Sequence, residues 1–291
     1  MARGKSIGVI RVLPYDQVAG RPPAVADGAG AGADPLSWAP TRLFTPSGRA
    51  ALDATLRTLA LDPHDDVLIT NSSGQTYVSS CVTCTVFNHC RPTRVLTDRT
   101  RAIVVIHEYG YPHPELAALL ESARNRGIPL IEDCAHSLDS ISEGVPLGSL
   151  GDFAIFSLSK VLPVPGGGIL VTDGRSGVAA DVDDDTEAEA AYRTHLPALP
   201  EYSLRRRRNY DAVRARFPEL DVQLEAGSGI TPFFVGLITP RAAEIRARSS
   251  AIEWGSTLRD DLLLVPTNPF VDPAVLVEAL DGAFGRQDPL G

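Results

Sequence analysis

Two ionisable side chains stand at the ends of predicted buried strands. Asp133 follows the apolar run LIE at residues 130–132, and Lys160 follows AIFSLS at residues 154–159. Ligands of open α/β sheets bind at the carboxyl ends of strands, so both charges are expected at one site; a structural ion pair is the alternative. Lys160 is one of two lysines beside 25 arginines, which favours a role for its amine, because a guanidinium stays protonated.

A turn that could hold a phosphate lies upstream. Ser47 and Gly48 open a predicted helix, where amides without helical partners and the positive end of the helix dipole attract anions. A helix N-cap without any ligand would look the same. Together with Asp133, Ser157 and Lys160, however, the turn meets the needs of pyridoxal phosphate (PLP). That cofactor requires an amine for an imine, an acid for the pyridine nitrogen and donors for the phosphate.

Strands and helices alternate around these residues. The β-branched run at residues 102–107, the amphipathic stretch at 114–126 and the run at 130–132 predict strand, helix and strand. This spacing is typical of a parallel strand pair with a crossover. We therefore expect an α/β fold with a mostly parallel mixed sheet.

Composition divides the chain into three predicted parts. Residues 1–42 are expected to form a loose N-terminal arm, rich in Gly, Ala and Pro, with order beginning near Leu43. Residues 43–200 are expected to form the large α/β domain, and residues 201–291 a small C-terminal α+β domain. The acidic stretch at residues 176–200 is expected to be irregular.

Charge and hydropathy exclude several classes of protein. The net charge of −9 and the pI near 5.2 argue against a nucleic-acid or membrane-surface binder. No apolar run is long enough to span a membrane. The arginines at residues 205–208 and the acidic residues before them are interpreted as solvated surface.

The cysteines raise the alternative of a zinc site. Cys81 and Cys84 have a ligand-like spacing, with Cys90 nearby, but the stretch lacks the turn and the further ligands of a zinc knuckle. Small buried hydrophobic residues on a helix are the preferred interpretation, and no metal is expected. Without a signal peptide the chain is expected in the cytoplasm, where disulfides are rare.

Several motifs, in the same order, resemble the DegT/StrS family of sugar aminotransferases. These are PLP-dependent enzymes of fold type I, related in fold to aspartate aminotransferase. The likeness is good over residues 43–175 and weak elsewhere. It rests on the segments FTPSGRAALDATLRTLAL, VIHEYGYP, IEDCAHSLDS, GVPLGSLGDFAIFSLSK and GGGILVTD.

The resemblance implies roles around the cofactor ring. Lys160 matches the Schiff-base lysine, and Asp133 the partner of the pyridine nitrogen. His136 would lie near the ring hydroxyl and Ala135 under one ring face. Tyr77 would stack on the other face, with a core aromatic as the alternative.

The resemblance also implies a phosphate site. Gly48, Arg49 and Ala50 match the phosphate-binding turn, with Ser157 as hydroxyl donor. The family places its serine five residues before the lysine, whereas Ser157 is three before Lys160, so Ser159 is the alternative donor.

By resemblance, the chain is an aminotransferase that moves an amino group from a small-molecule donor to a keto-sugar or related ketone. A homodimer with a shared active site is implied. Two alternatives stay open: another PLP reaction (lyase, racemase or decarboxylase), or a non-catalytic shortened partner of a full-length homologue. The chain resembles a shortened member, because the stretch RPTRVLTDRT is brief and residues 174–210 lack the family's interface motif.

Overall fold

A computed structural model describes residues 8–20, 33–175, 177–178, 182 and 184–285. The described strands are β1 (Thr41–Thr45), β2 (Asp66–Asn71), β3 (Arg91–Thr93), β4 (Thr100–Ile106), β5 (Leu130–Asp133), β6 (Ile141–Ser142), β7 (Val145–Pro146), β8 (Phe153–Ser157), β9 (Gly168–Thr172), β10 (Asp221–Val222), β11 (Phe234–Ile238) and β12 (Leu262–Pro266). The described α-helices are α1 (Pro14–Gln17), α2 (Gly48–Leu59), α3 (Ser80–Phe87), α4 (Leu116–Arg126), α5 (Leu158–Val161), α6 (Thr186–His195), α7 (Leu199–Arg216), α8 (Ala242–Arg248) and α9 (Pro273–Phe284).

The larger sheet has seven strands in the order β1-β9-β8-β5-β4-β2-β3. Strand β9 is antiparallel to both of its neighbours, whereas the pairs from β8 through β5, β4 and β2 to β3 are parallel. Six strands therefore point the same way, and their carboxyl ends meet at one edge. The predicted α/β class with a mostly parallel mixed sheet is confirmed.

Apolar residues cover both faces of this sheet. Along β4, Val104 and Ile106 pack in one cluster with residues of α2 and α3, while Ile103 and Val105 pack in another with residues of α4. Successive side chains of a strand point to opposite faces, so a continuous β-branched run suits a strand buried on both sides. The two layers of helices hold the strand ends in fixed positions.

Order begins earlier than the composition predicts. Leu36 is fully buried, and β1 starts at Thr41 and pairs antiparallel with β9. Ile10 forms a β-bridge with Ile252 and packs in a cluster of C-terminal residues. The expectation of a loose arm up to Leu43 is wrong for these parts, because isolated apolar residues in a Gly/Ala-rich stretch find partners far along the chain. Residues 1–7 and 21–32 lie outside the described residues.

The acidic stretch is also more regular than expected, because α6 lies within it. The Asp185 carboxylate caps α6 by accepting hydrogen bonds from the amides of Glu187 and Ala188, each at 3.0 Å. Asp184 accepts a bond of 2.7 Å from the amide of Phe44 in β1. The prediction of an irregular segment is wrong here, because aspartates in this run cap a helix and fasten it to the sheet.

A three-stranded antiparallel sheet, β10-β11-β12, lies in the C-terminal part of the chain. Its residues share an apolar cluster with α7, α8 and α9. The domain division near residue 200 stays a prediction. Within the described ranges, no helix combines the length and apolar character needed to cross a bilayer.

Candidate active site

A cavity of about 390 Å³ lies at the carboxyl edge of the larger sheet. Residues following β1, β4, β5 and β8 contribute to its wall, because these strands are parallel and end at the same edge. Most residues of the predicted site line it: Gly48, Arg49, Asp133, Ala135, His136, Ser157 and Lys160.

Three other candidates lie outside the cavity wall. The amide of Ala50 donates to Ser47 Oγ at 3.2 Å, so it is engaged in capping α2. The main-chain oxygen of Tyr77 accepts a bond of 3.1 Å from Asn71, and the Tyr77 side chain is half-buried in the segment before α3. Ser159 does not line the cavity, whereas Ser157 does, which favours Ser157 of the two serines. The stacking role of Tyr77 stays a prediction.

The start of α2 lies directly against strands β8 and β9. A Cβ on Gly48 would lie 3.1 Å from the Cβ of Ser157, and a Cβ on Gly168 would lie 2.5 Å from the amide nitrogen of Gly48. The main chains approach so closely that only glycine fits at Gly168. The amides of Gly48 and Arg49 have no partner within the helix, and they lie next to the hydroxyl-bearing Ser157. This group of donors suits a phosphate.

Lys160 and His136 form the centre of the cavity. Lys160 Nζ lies 3.2 Å from His136 Nε2, and His136 Nδ1 accepts a bond of 3.4 Å from the amide of Tyr109. A neutral imidazole has one donor and one acceptor nitrogen, so acceptance at Nδ1 assigns the hydrogen to Nε2, which faces the Lys160 amine. Burial lowers the pKa of Lys160, and burial and Lys160 hold the pKa of His136 well below its usual value.

Asp133 supplies the carboxylate of the site. Its side chain accepts a bond of 3.0 Å from the amide of Ala135, two residues further on. Burial raises the pKa of Asp133, and this effect outweighs the opposing charge of Lys160 and the Ala135 amide. A carboxyl in this position can hold a proton or share one with a ring nitrogen.

A buried arginine fixes the main chain at Lys160. Arg206 Nη2 donates a bond of 2.8 Å to the Lys160 carbonyl oxygen, and its guanidinium lies 4.9 Å from the ring centroid of Phe233. Arg206 belongs to the arginine run interpreted as solvated surface, yet it is only 2 % exposed. That interpretation is wrong for this residue, because the run lies on α7 and one side of the helix faces the interior.

Sequence reasoning also missed several residues of the cavity wall. Glu108 follows β4 directly, so the strand-end rule that selected Asp133 could have found it. The hydrophobic residues gave no such signal. The missed wall residues are Leu52, Ser79, Cys81, Val82, Ile106, Glu108 and Ile155.

Two cysteines differ from their predicted environment. Cys81 and Cys84 are exposed on α3, so the prediction of burial is wrong for them, whereas Cys90 is buried as predicted, and Cys134 is also buried. Cys81 Sγ accepts a hydrogen bond of 2.9 Å from Arg49 Nη2 at the cavity. Burial alone would raise the pKa of the Cys81 thiol, but the bonds from Arg49 and Ser79 and the charges of Arg49 and Lys160 lower it overall.

A second buried group lies beside the cavity and is structural. His107, Glu132 and Cys134 place potential ligand atoms within 4.8 Å of one another. The Glu132 carboxylate accepts hydrogen bonds from the amides of Gly148, Leu150 and Gly151 and from His107 Nε2, and His107 Nδ1 accepts from the amide of His113. These hydrogen bonds provide partners for the buried polar atoms of Glu132 and His107 and fix the loop before β8.

Residues 41–179 match the model of the DegT/DnrJ/EryC1/StrS aminotransferase family. The matched part contains all of the larger sheet and every wall residue named above. Through this part, the chain resembles the DegT/DnrJ/EryC1/StrS aminotransferase family.

Curated relatives within the DegT family carry names of sugar and cyclitol aminotransferases. The L-glutamine:scyllo-inosose aminotransferase of Streptomyces griseus is 49% identical over 80 residues, which are 27% of this chain and 19% of that protein. The dTDP-4-dehydro-2,3,6-trideoxy-D-glucose 4-aminotransferase of Saccharopolyspora spinosa is 28% identical over 251 residues, 78% of this chain and 61% of that protein. The chain thus spans less than two thirds of these relatives.

Solved structures share the fold of this chain. The aminotransferase TlmJ from Streptoalloteichus hindustanus superposes with a TM-score of 0.72 at 18% identity, covering 96% of this chain and 99% of that one. NtdA from Bacillus subtilis, solved with the cofactor PMP, gives a TM-score of 0.72 at 14% identity over 97% and 87% of the chains. The predicted fold type I is confirmed.

The cavity fits PLP. The close approach of the main chains places the first amides of α2, which have no helical partner, beside Ser157, and the Lys160 amine and the Asp133 carboxyl line the same space. Arg49, Gly48 and Ser157 would hold the phosphate, Asp133 the pyridine nitrogen, and Lys160 the aldehyde carbon.

Proposed function

We propose that this chain is a PLP-dependent aminotransferase that transfers an amino group to a keto-sugar or a related hydroxylated ketone. The observation that carries the proposal is the convergence of Lys160, Asp133 and the Ser47–Gly48 turn on one cavity. The cavity also lies where α/β folds bind ligands, at the carboxyl edge of the parallel strands.

Lys160 is the proton carrier of the proposed reaction. An amine with a lowered pKa is neutral more often near neutral pH and can therefore accept a proton from a substrate carbon. His136 Nε2 lies 3.2 Å from the amine. Arg206 fixes the main chain of the same residue, from which the side chain extends.

Asp133 is the residue proposed to control the charge of the pyridine nitrogen. When PLP is bound, its ring draws electrons from the carbon that loses the proton, and it does so best with a protonated pyridine nitrogen. The Asp133 carboxyl, held by the Ala135 amide, is the group that would keep that nitrogen protonated.

Support for the substrate class comes from the relatives. The names of the two curated proteins specify a keto-sugar nucleotide and a cyclitol ketone, and one of them specifies L-glutamine as donor. We also propose a cytoplasmic homodimer with a shared active site, as the family resemblance implies. Light scattering of the purified protein would test the dimer.

The test of the cofactor role uses absorbance spectra of the purified chain with added PLP. Wild type is expected to show a visible imine band that is absent from Lys160→Ala. Lys5→Ala is the matched control, because Lys5 is the other lysine of the chain, and it should keep the band. Equal spectra of wild type and Lys160→Ala would contradict the cofactor role.

The test of the reaction type starts from the loaded protein. L-glutamine or L-glutamate should remove the imine band, and a keto-sugar should restore it, because amino transfer alternates between two cofactor forms. A band that persists with every common amino donor would argue against transamination and for another PLP reaction.

A further inference from the structure

The carboxylate of Glu108 has no task in the proposed cofactor site. Lys160, Asp133, Arg49 and Ser157 meet the needs of the ring and the phosphate. Glu108 lines the same cavity, follows β4 directly and is only 7 % exposed. A charged group is expensive to bury, so its presence in a cavity wall requires a partner or a function.

Hydrogen bonds fix the position of Glu108. Its amide donates to Ser72 Oγ at 2.9 Å, and its carboxylate accepts from Ser73 Oγ. A carboxylate can accept about four hydrogen bonds, so Glu108 can accept further bonds from a ligand. Glu108 is therefore an acceptor that is already oriented before a ligand enters.

The turn that carries Glu108 is held in an unusual conformation. Tyr109 has φ 59° and ψ 18°, in the left-handed region that a bulky side chain rarely adopts. The amide of Phe233 donates to the Tyr109 carbonyl at 2.8 Å, and the Tyr109 and Phe234 rings pack edge to face. Strain of this kind persists where surrounding contacts enforce it and is concentrated at ligand sites.

The cavity wall combines the apolar residues Ile106, Val82 and Ile155 with polar ones, and the charge of Asp133 acts on Glu108. A ligand with hydroxyl or amino groups would find an oriented acceptor at Glu108. A ligand with a carboxylate at that place would meet a like charge above the pKa of Glu108, which burial raises against the bond from Ser73 and the charge of Arg94.

We infer that Glu108 is a specificity-determining residue that binds a hydroxyl or amino group of a hydroxylated ring amine and disfavours carboxylate-bearing amines at that position. The inference rests on the proposed function, because the amine must react at Lys160.

The experiment measures binding of two ring amines to the PLP-loaded protein. An amino-inositol (pentahydroxycyclohexylamine) carries hydroxyls, and cyclohexylamine has the same ring without them; each is titrated while the imine band is followed. In wild type the amino-inositol is expected to bind about tenfold or more tightly than cyclohexylamine, as expected for hydrogen bonds to a charged group. Glu108→Gln should abolish most of this preference.

Two further variants complete the design. Ser73→Ala keeps the charge but releases the carboxylate, and it should reduce the preference in the same direction, which keeps the test decisive if Glu108→Gln does not fold. Glu121→Gln removes a carboxylate from the exposed face of α4 and should leave the preference unchanged.

The outcomes separate the two proposals. A normal imine band with the same preference in wild type, Glu108→Gln and Ser73→Ala overturns the inference alone. An equal loss of affinity for both amines overturns it as well, because that pattern indicates general damage. Absence of the lysine-dependent band in wild type overturns the proposed function and this inference with it.

Discussion

Arg206 donates a hydrogen bond from Nη2 to the main-chain oxygen of Lys160 at 2.8 Å, although 46 residues separate them in sequence. The guanidinium also lies 3.5 Å from Thr267 Oγ1 and faces the charge of Asp139, and burial lowers the pKa of Arg206 to about 9. Arg206 is thus a positioning residue that connects α7 to the main chain of the proposed imine-forming lysine.

Arg206→Met is expected to lower the free energy of unfolding and to release the main chain at Lys160. Loss of its hydrogen bonds leaves the buried Lys160 carbonyl and Thr267 hydroxyl without this donor and should lower the free energy of unfolding by about 1–3 kcal/mol. The released main chain at Lys160 should weaken PLP binding by about tenfold or more, since small displacements of a reacting group are costly. Thermal unfolding and PLP titration measure the two effects.

The neighbouring arginine provides the control for this prediction. Arg205 lies on the same helix, is exposed and pairs with Glu201 at 2.8 Å. Arg205→Met should change the free energy of unfolding by less than about 0.5 kcal/mol. To separate positioning from stability, the imine absorbance per bound PLP is compared between wild type and Arg206→Met below the unfolding temperature. An undiminished absorbance in Arg206→Met would show that Arg206 does not position Lys160.

Asp133→Asn is expected to raise the thermal stability of the cofactor-free chain and to lower the amino-transfer rate. Burial raises the pKa of Asp133 in the folded chain. A raised pKa means that the stability contributed by this carboxyl is complete below its unfolded pKa and is lost as the pH rises through the folded pKa. The cofactor-free Asn variant should therefore melt at a higher temperature than wild type near neutral pH, and the gain should shrink toward acid.

The same variant should lose amino-transfer rate by about 100-fold or more, because a preorganised charge next to the developing charge is removed. Calorimetry across pH and single-turnover absorbance measure the two effects. A lower melting temperature of the Asn variant at neutral pH would refute the stability argument.

Gly168→Ala is expected to displace the phosphate turn. The new Cβ would lie 2.4 Å from the carbonyl carbon of Ser47 and 2.5 Å from the amide nitrogen of Gly48, so the main chain itself must move. We expect a loss of about 1–3 kcal/mol in the free energy of unfolding and weaker binding of PLP and of inorganic phosphate.

Gly282→Ala is the matched control for this substitution. Gly282 lies in α9, and no atom lies within 4 Å of its would-be Cβ. The alanine should stabilise the helix by roughly 0.5–1 kcal/mol and leave phosphate binding unchanged. Equal phosphate affinity in wild type and Gly168→Ala would argue against a phosphate site at this turn.

Cys81 is expected to be the more reactive of the two exposed thiols. Its pKa is lowered overall, although burial opposes this, because Arg49 Nη2 donates to the sulfur at 2.9 Å. Iodoacetamide should modify Cys81 faster than Cys84 near neutral pH, and bound PLP should slow the reaction at Cys81 alone. Mass spectrometry of Cys81→Ala and Cys84→Ala separates the two sites.

The role of Arg49 in this reactivity has its own test. Arg49→Met removes the donor and should bring the alkylation rate of Cys81 close to that of Cys84. If PLP failed to protect Cys81, or protected both thiols equally, the placement of the cofactor phosphate beside Arg49 would have to be abandoned.

Local sequence predicted most of the elements that carry the site. The runs at residues 102–107 and 130–132 form β4 and β5 within two residues of their predicted bounds. The hydrophobic periods of strands and helices are local properties of the sequence, so they can be recognised without knowing which distant segments pack against them. Short edge strands such as β3 gave no signal, because three residues carry no period.

By itself, the sequence determined the alternation of strands and helices and, through the strand-end rule, placed Asp133 and Lys160 at one edge. Tertiary structure alone decided that Arg206 is buried and donates a hydrogen bond to the Lys160 carbonyl. It also decided that Glu108 lines the same cavity and that the Ala50 amide takes part in capping α2. The physical reason is that periodicity reports which face of an element is apolar. A polar side chain becomes buried only when a distant segment supplies its hydrogen-bond partner, and no local pattern encodes that partner.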